Sequence, residues 1–293
     1  MRIFVVVLFL SLPVTGQPSR AGATPPAADP LTARQVVERI QKNVGCAWSP
    51  RTVDTIKAGD PDTPVTGIAT TCFATMDVLR RAAASGRNLV IVHEPTFYNH
   101  ADDTTRLADD PVLAAKRAFL AEHKLVVFRF HDHWHRRNPD GIDEGMAAAL
   151  GWESARVPGE GAPVFRIPET SLQRLAADLK DRLKAGTLRV VGDPEMKASR
   201  IALVAGAPGS AAQIRALQRN DVDVVLAGEA PEWETAEYVR DATAAGKRKG
   251  LVLLGHVASE EAGMRHVAAW LKGFVPEVPV EFLPAGEPFW SPR

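Results

Sequence analysis

The sequence contains little cysteine, and this limits the kinds of protein it can encode. Among 293 residues there are two cysteines, Cys46 and Cys72. Two cysteines are too few for a disulfide framework, and their spacing matches no metal-binding motif. The sequence leaves open whether the pair forms a single disulfide.

The sequence also lacks a long run of one charge. Its 35 basic and 35 acidic residues balance, so neither a nucleic-acid-binding surface nor a polybasic membrane patch is expected. After the N-terminus no apolar stretch is long enough for a membrane span. A Walker loop and a G-x-G-x-x-G nucleotide-binding pattern are absent as well. The hydrophobic content of 45% is sufficient for one large domain or two smaller lobes.

The first residues have the pattern of a secretory signal peptide. Arg2 precedes a short apolar stretch at residues 3–12, and the small residues at 14–16 precede a plausible cleavage site at Gln17. The alternative is an ordinary buried strand or helix. We predict a signal peptide at residues 1–16, a Pro- and Ala-rich spacer at 17–30, and a periplasmic or secreted protein.

The rest of the chain alternates predicted strands with predicted helices. The first helix is predicted to open at Asp29 and Pro30. Further helices are predicted at 74–85, 110–122, 145–150, 175–183, 211–219, 233–244 and 260–271. Strands are predicted at 67–72, 88–92, 125–130, 188–191, 201–205, 222–226, 251–254 and 278–282. This rhythm predicts a layered α/β fold with two lobes, residues 31–150 and 151–293.

Histidine and acidic residues follow the predicted strands where each strand ends. The residues concerned are His93, Glu94, His131, Asp132, His133, His135, Glu229 and His256, with Glu260 one helical turn after His256. Ligands bind outside the carboxyl ends of strands in open α/β sheets. Imidazoles and carboxylates that arrive there from several strands are what a metal cluster requires.

Each of these residues has a plainer explanation when taken alone. A single histidine at a strand end is usually hydrogen-bonded or half-exposed. The three histidines between residues 131 and 135 alternate, so all three could line one face of an extended segment, or they could lie in a solvated loop. The coincidence at three strand ends favours a metal centre. His100, His123 and His266 lack such a placement and are interpreted as structural.

These motifs, in this order, resemble the Nif-three-like dinuclear-metal-centre hexameric family, also called GTP cyclohydrolase type 2-like. The similarity runs from about residue 31 to 293. His93-Glu94-Pro95 resembles the family's His-His-Pro motif, and residues 131–135 resemble its His-Thr-Asn-Leu-Asp segment. Residues 255–260 match its Gly-His-x-x-Ser-Glu motif in full, and Gly228-Glu229 and Pro288-Phe289 resemble two further family motifs.

The resemblance implies a two-lobed layered α/β fold, with the metal site at carboxyl ends of strands between the lobes. It implies divalent metal ions (Zn, Mn or Fe), two per chain, held by His93, Glu94, His131, His135, His256 and Glu260. Two positions depart from the family pattern. Glu94 replaces the family's second histidine, and His135 replaces its bridging aspartate, so ligand number and formal charge are preserved. One imidazole nitrogen serves one metal, so Glu94 or Glu260 would form the bridge, unless the site holds a single ion.

Two functions are compatible with such a centre. The first is a metal-dependent hydrolase of the cyclohydrolase or phosphoesterase type, acting on an unknown small molecule, with Glu260, Asp132 and Glu229 as candidate catalytic residues. The second is a non-catalytic metal-binding, storage or assembly protein. Homo-oligomerisation as a hexamer is implied by the resemblance alone.

Overall fold

A computed structural model describes residues 30–290 together with residues 1, 3 and 292. The predicted signal peptide and spacer lie outside the described residues, apart from residues 1, 3 and 30. No helix among the described residues has both the length and the apolar character to cross a membrane. Residues 31–293 form one compact unit, and the division into lobes near residue 150 stays a prediction.

The predicted helices and strands are present in the predicted order, together with elements that were not predicted. The α-helices are α1 (Ala33–Asn43), α2 (Met76–Ala84), α3 (Pro111–Glu122), α4 (Asp132–Arg136), α5 (Gly141–Leu150), α6 (Leu172–Leu183), α7 (Ser210–Gln218), α8 (Glu237–Ala244) and α9 (His256–Leu271). The β-strands are β1 (Ile56–Ala58), β2 (Ile68–Thr71), β3 (Leu89–Val92), β4 (Val126–Arg129), β5 (Arg156–Val157), β6 (Val164–Ser171), β7 (Arg189–Val191), β8 (Lys197–Val204), β9 (Val224–Ala227), β10 (Gly250–Leu253) and β11 (Val280–Phe282).

Two mixed sheets are built from these strands. The first has the order β1-β4-β3-β2-β11, with β11, β2, β3 and β4 mutually parallel and β1 antiparallel at the edge. The second has the order β5-β6-β8-β9-β10-β7, in which β8, β9 and β10 are parallel. Every residue of β2, β3, β4, β9 and β10 is buried, as expected for parallel strands covered on both faces.

The two sheets enclose a layer of helices. One apolar cluster joins alternate residues of β3 and β9 to residues of α5 and α9, whereas the outer faces of the sheets pack against α2 and α3 or against α7 and α8. Helices α5 and α9 cross at two glycines, because a side chain on Gly145 would meet the backbone of Gly263 at 2.5 Å. This contact brings the start of α9 close to the segment that follows β4.

Several predicted helix starts are wrong; α6, for example, begins at Leu172 after its cap Ser171 and not at residue 175. The first helix begins at Ala33 and is capped by Thr32, whose side chain accepts from Gln35 in a capping box; the predicted Asp29–Pro30 start lies upstream. Helix α5 begins at Gly141 instead of residue 145, because the carboxylate of Asp140 caps its first turn. Helix α9 begins at His256 rather than at Glu260.

Candidate metal centre

The side chains predicted to hold metal lie at the carboxyl ends of β3, β4 and β10. His93 and Glu94 directly follow β3, and His131 follows the neighbouring parallel strand β4 by one residue. The imidazole rings of His93 and His131 are therefore close, with centroids 4.6 Å apart. Helix α9 supplies His256 and, one turn later on the same face, Glu260.

The six predicted ligands converge on one point. The Nε2 atoms of His93 and His135 are 3.1 Å apart. The Oε2 atom of Glu260 lies 3.2 Å from Nε2 of His256 and 3.7 Å from Nε2 of His93. The Oε1 atom of Glu94 lies 3.4 Å from Nε2 of His256 and 3.7 Å from Nε2 of His131. Two overlapping groups could hold a metal ion, His93 with His131 and His135, and His93 with Glu94 and Glu260.

Every histidine of the centre is oriented by an oxygen atom behind it. The Nδ1 atoms donate to the carbonyl of Phe130 (His93, 3.1 Å), to Asp132 (His131, 3.0 Å), to Asp140 (His135, 2.7 Å) and to Glu229 (His256, 2.6 Å). Carbonyl and carboxylate oxygens accept hydrogen bonds, so each Nδ1 carries the proton. Each Nε2 then faces the centre, which is the arrangement of metal-ligating histidines.

The contact between His93 and His135 requires a cation. With both protons on Nδ1, two neutral rings would point lone pairs at each other across 3.1 Å. Burial and the neighbouring His135 and His131 hold the pKa of His93 well below its ordinary value. Burial also lowers the pKa of His135, but the hydrogen bond to Asp140 and the charges of Asp140, Glu260 and Asp143 together outweigh it and raise the pKa to about 9. A proton on His135 or a metal ion would satisfy this pair.

His256 also requires a positive charge at its Nε2 atom. Its Nε2 is buried and has no hydrogen-bond partner among the described residues, although two carboxylates lie within 3.4 Å. Burial lowers the pKa of His256, but the carboxylates of Glu260 and Glu94 raise it to about 11. Positive charge is thus favoured at this nitrogen, and the donor set fits a divalent metal ion.

The prediction that His131, His133 and His135 could line one face of an extended segment is wrong. The segment is helical, and the backbone N–H of His135 donates to the carbonyl of His131. In a helix, residues four apart share a face, so His131 and His135 point to the centre and His133 points away. The Nδ1 of His133 donates to Asp54, its Nε2 accepts from the backbone of Ser49, and its ring stacks on a tryptophan.

The absence of a side chain at Gly206 makes room for the carboxylate of Glu260. Gly206 follows β8 with φ +64°, and a Cβ atom there would collide with the carboxylate of Glu260. The hydroxyl of Ser259 accepts from the N–H of Gly206 at 2.9 Å and donates to the carbonyl of His256 at 2.7 Å. The serine before Glu260 therefore fixes the first turn of α9 against the end of β8.

Both cysteines are free thiols. The Sγ of Cys72 lies 3.9 Å from Oε2 of Glu260. Burial and the nearby Glu260 raise the pKa of this thiol well above its ordinary value, so it stays protonated. The candidate ligands are thus nitrogen and oxygen atoms.

Two residues of the centre escaped the sequence analysis. Arg129, fully buried in β4, places Nη2 3.8 Å from Oε2 of Glu94 and donates to the carbonyl of His93. Asp140 orients His135 while capping α5. The Asp-Gly pair at 140–141 was the only available signal for Asp140, and no local pattern identifies an arginine in a strand as part of a site.

The sequence profile of the Duf34/NIF3 (NGG1p interacting factor 3) family matches residues 33–288. A GTP cyclohydrolase 1 type 2 homolog of Chlamydia pneumoniae is 23% identical over 244 residues, which cover 80% of this chain and 90% of the relative. The homolog of Clostridium acetobutylicum is 22% identical over 193 residues, or 62% of this chain and 70% of the relative.

Solved structures share the fold. A Staphylococcus aureus hypothetical protein superposes with a TM-score of 0.71 at 17% identity, covering 90% of this chain and 100% of the other. A Bacillus cereus protein related to NIF3 gives a TM-score of 0.71 at 13% identity, covering 89% and 99%. The predicted layered α/β fold of Nif-three-like type is confirmed.

Proposed function

The chain belongs to the Duf34/NIF3 family, and we propose that it binds divalent metal ions and uses them to hydrolyse a small molecule. One observation carries the proposal. Four imidazole Nε2 atoms and two carboxylates form one cluster, while each Nδ1 is hydrogen-bonded to an oxygen. Histidines that serve only packing have no reason to share this orientation.

Two ions per chain, of Zn, Mn or Fe, suit the donor set. The two candidate groups share His93, and one imidazole nitrogen binds one metal. Glu94 would hold metal together with two of the histidines, because its Oε1 lies 3.7 Å from Nε2 of His131 and 3.4 Å from Nε2 of His256. Burial raises the pKa of Glu94, but His256, His131 and Arg129 together outweigh it and lower the pKa, so this carboxylate is ionised.

A bound metal pair supplies Lewis-acid polarisation and lowers the pKa of bound water. The protein's own residues divide the remaining work. Asp132 accepts from His131, from the hydroxyl of Thr52 and from the backbone of Val53. These contacts outweigh burial and lower its pKa to about 2, so Asp132 orients His131 instead of exchanging protons. Glu229 is 58% exposed beside His256, and we assign it proton transfer.

The alternative is a non-catalytic storage or assembly protein. Structural metal sites are closed by protein ligands, whereas catalytic sites keep an open side. Here a cleft of about 470 Å³ is lined by Glu94, Glu229 and His256. This open side favours the hydrolase.

Metal analysis of the purified chain is the first test, and a screen of phosphoesters, nucleotides and cyclic amides is the second. We expect about two divalent ions per chain and turnover that disappears on chelation. Turnover should also fall in Glu229→Gln, assayed at saturating metal because Glu229 also orients the ring of His256. A chain prepared with metal salts that retains none would refute metal binding. Bound metal with no turnover of any substrate class would favour storage.

A further inference from the structure

The cleft beside the metal centre contains a buried lysine. Lys116, on α3, is 4% exposed and lines the same cleft as Glu94 and His256. Its ammonium donates to the carbonyl of Thr96 at 2.6 Å and lies 5.1 Å from the ring centre of Tyr98. An ammonium has three donors, and among the described residues no carboxylate lies within 4.0 Å of this one.

The acid that most influences Lys116 is already engaged. Asp102 lies 3.4 Å from Nζ of Lys57 and 3.5 Å from Nη1 of Arg129. Its charge is shared between those two cations. Lys116 therefore lacks a counter-ion of its own. Burying a cation without a paired anion costs free energy, so an anion bound in the cleft would stabilise it.

A second buried group in the cleft lacks a partner. Thr96 is fully buried, and its hydroxyl makes no hydrogen bond within the part of the chain that the structure describes. The start of α2, at Ala74, Thr75 and Met76, borders the same cleft, and free N–H groups at a helix start favour an anion. Lys116, Thr96 and the start of α2 therefore all line one cleft.

The remaining walls of the cleft are apolar. Phe73, Met76 and Tyr98 line the cleft with apolar surface. Small-molecule sites combine such walls with a few convergent polar groups, in volumes of roughly 300–1,000 Å³. The cleft therefore suits a ring-sized apolar body that carries one anionic group.

We propose that this cleft is the substrate subsite of the metal centre and that it binds an organic phosphate or carboxylate. The anionic group is held by Lys116 and the hydroxyl of Thr96, and the apolar body lies against Phe73, Met76 and Tyr98. The reacting bond then lies towards Glu94 and His256. This inference rests on the proposed hydrolase function, which leaves the substrate class undefined.

Calorimetry on the full chain, metal-loaded and chelator-treated, tests the subsite with three probes: phenyl phosphate, phenylacetate and neutral benzyl alcohol. The variants are Lys116→Gln and Thr96→Val, with Lys180→Gln on an exposed face of α6 as the matched control. We expect at least one anionic probe to bind the wild type, with Kd raised about tenfold or more by Lys116→Gln and about threefold to tenfold by Thr96→Val. The control should leave Kd unchanged. Whichever anion binds more tightly identifies the head group.

Metal content and thermal unfolding are measured for every variant, and the methyl resonance of Met76 reports binding in the wild type without substitution. The subsite is refuted when anions leave that resonance unmoved, or when folded, metal-bearing Lys116→Gln binds them as the wild type does. It is also refuted when benzyl alcohol binds as tightly as the anions. A chain that holds no metal but binds anions through Lys116 would refute the proposed function and retain the cleft as an anion site.

Discussion

Glu94 lies between two kinds of cation. Its Oε2 faces the buried guanidinium of Arg129 at 3.8 Å, and its Oε1 faces His256 and His131. A carboxylate buried here without Arg129 would carry an uncompensated charge next to a second carboxylate, Glu260. Arg129 therefore makes a glutamate tolerable at a position where the family resemblance implies a histidine.

We predict that Glu94 and His135 are coupled in metal binding. Glu94→His would give five imidazoles with Glu260 as the one carboxylate, and His135→Asp would leave three imidazoles and three carboxylates. Each single change should lower metal affinity because charge and donor type no longer match the ions. The double change restores ligand number and formal charge, so it should recover much of the loss, with a coupling of about 1–3 kcal/mol. Metal titration of the wild type, both singles and the double measures this cycle.

His123→Asp is the matched control for the histidine change. His123 lies at the C-terminus of α3 with its ring against Phe119, remote from the ligand set. Its replacement should leave metal affinity unchanged. Effects of Glu94→His and His135→Asp that simply add would show that the two residues do not share one site.

Residues of the centre differ in how far the sequence reveals them. His93, Glu94 and His256 were predicted because strand ends can be located from apolar runs, and a sheet brings parallel ends together. Lys116 and Arg129 were not, because their roles depend on packing between elements far apart in the chain. A buried lysine in a helix has no local pattern that separates it from a solvated one.

At the scale of elements, helix α4 decided which histidines converge. The sequence between residues 131 and 135 alternates, which favours an extended segment, but five residues are too few to distinguish the two periods. In the folded chain Asp54 stabilises the helical conformation, since its carboxylate accepts from the backbone N–H groups of His131, Asp132 and His133. This long-range cap holds the first turn of α4.

The cap of α5 also serves the metal centre, and this makes a sharp test. Asp140 accepts from the N–H of Ile142 through Oδ1 and from Nδ1 of His135 through Oδ2. Asp140→Asn keeps the capping oxygen but replaces the acceptor facing His135 with an amide N–H₂. We expect metal affinity to fall about 10–100-fold, with little change in thermal stability.

The matched control is Asp110→Asn, since Asp110 caps α3 in the same way through Val112 and Leu113. It should change neither metal affinity nor stability. Equal metal affinity in Asp140→Asn and the wild type would mean that Asp140 only caps the helix. Both variants are compared by metal titration and by thermal unfolding.

The crossing of α5 and α9 predicts an effect on stability. A methyl group on Gly145 would lie 2.5 Å from the carbonyl oxygen of Ala262, and backbone atoms cannot move aside as a flexible side chain does. Gly145→Ala should lower the free energy of unfolding by about 1–3 kcal/mol, although alanine favours a helix. Denaturant unfolding measures it against Gly159→Ala, where the nearest atom is 3.7 Å away. A Gly145→Ala variant as stable as this control would contradict the close crossing.

At the scale of the whole molecule, local sequence patterns predicted the layered strands and helices but not which strands pair across the chain or where α9 packs. Apolar runs identified the strands, yet β11 pairs with β2 across most of the chain, through the register Val280 to Ile68. The β-branched residues of a buried strand carry no information about which neighbour they join. The position of α9 between the sheets is set by the two glycines of the crossing, whose role appears only once both helices are placed.

Assembly is the remaining prediction at this scale. The family resemblance implies a hexamer, and several exposed aromatic side chains could anchor a neighbouring chain; one of them is Trp233, 79% exposed just before α8. Exposed tryptophan is costly on a monomer and is enriched at the centres of interfaces, where its loss costs about 2 kcal/mol or more. We predict six chains per particle by light scattering at micromolar concentration, and Trp233→Ser should raise the dissociation constant about 30-fold or more. Val112→Ser, at a 58% exposed position on α3, is the control and should leave the particle mass unchanged. A monomeric wild type would contradict the predicted hexamer.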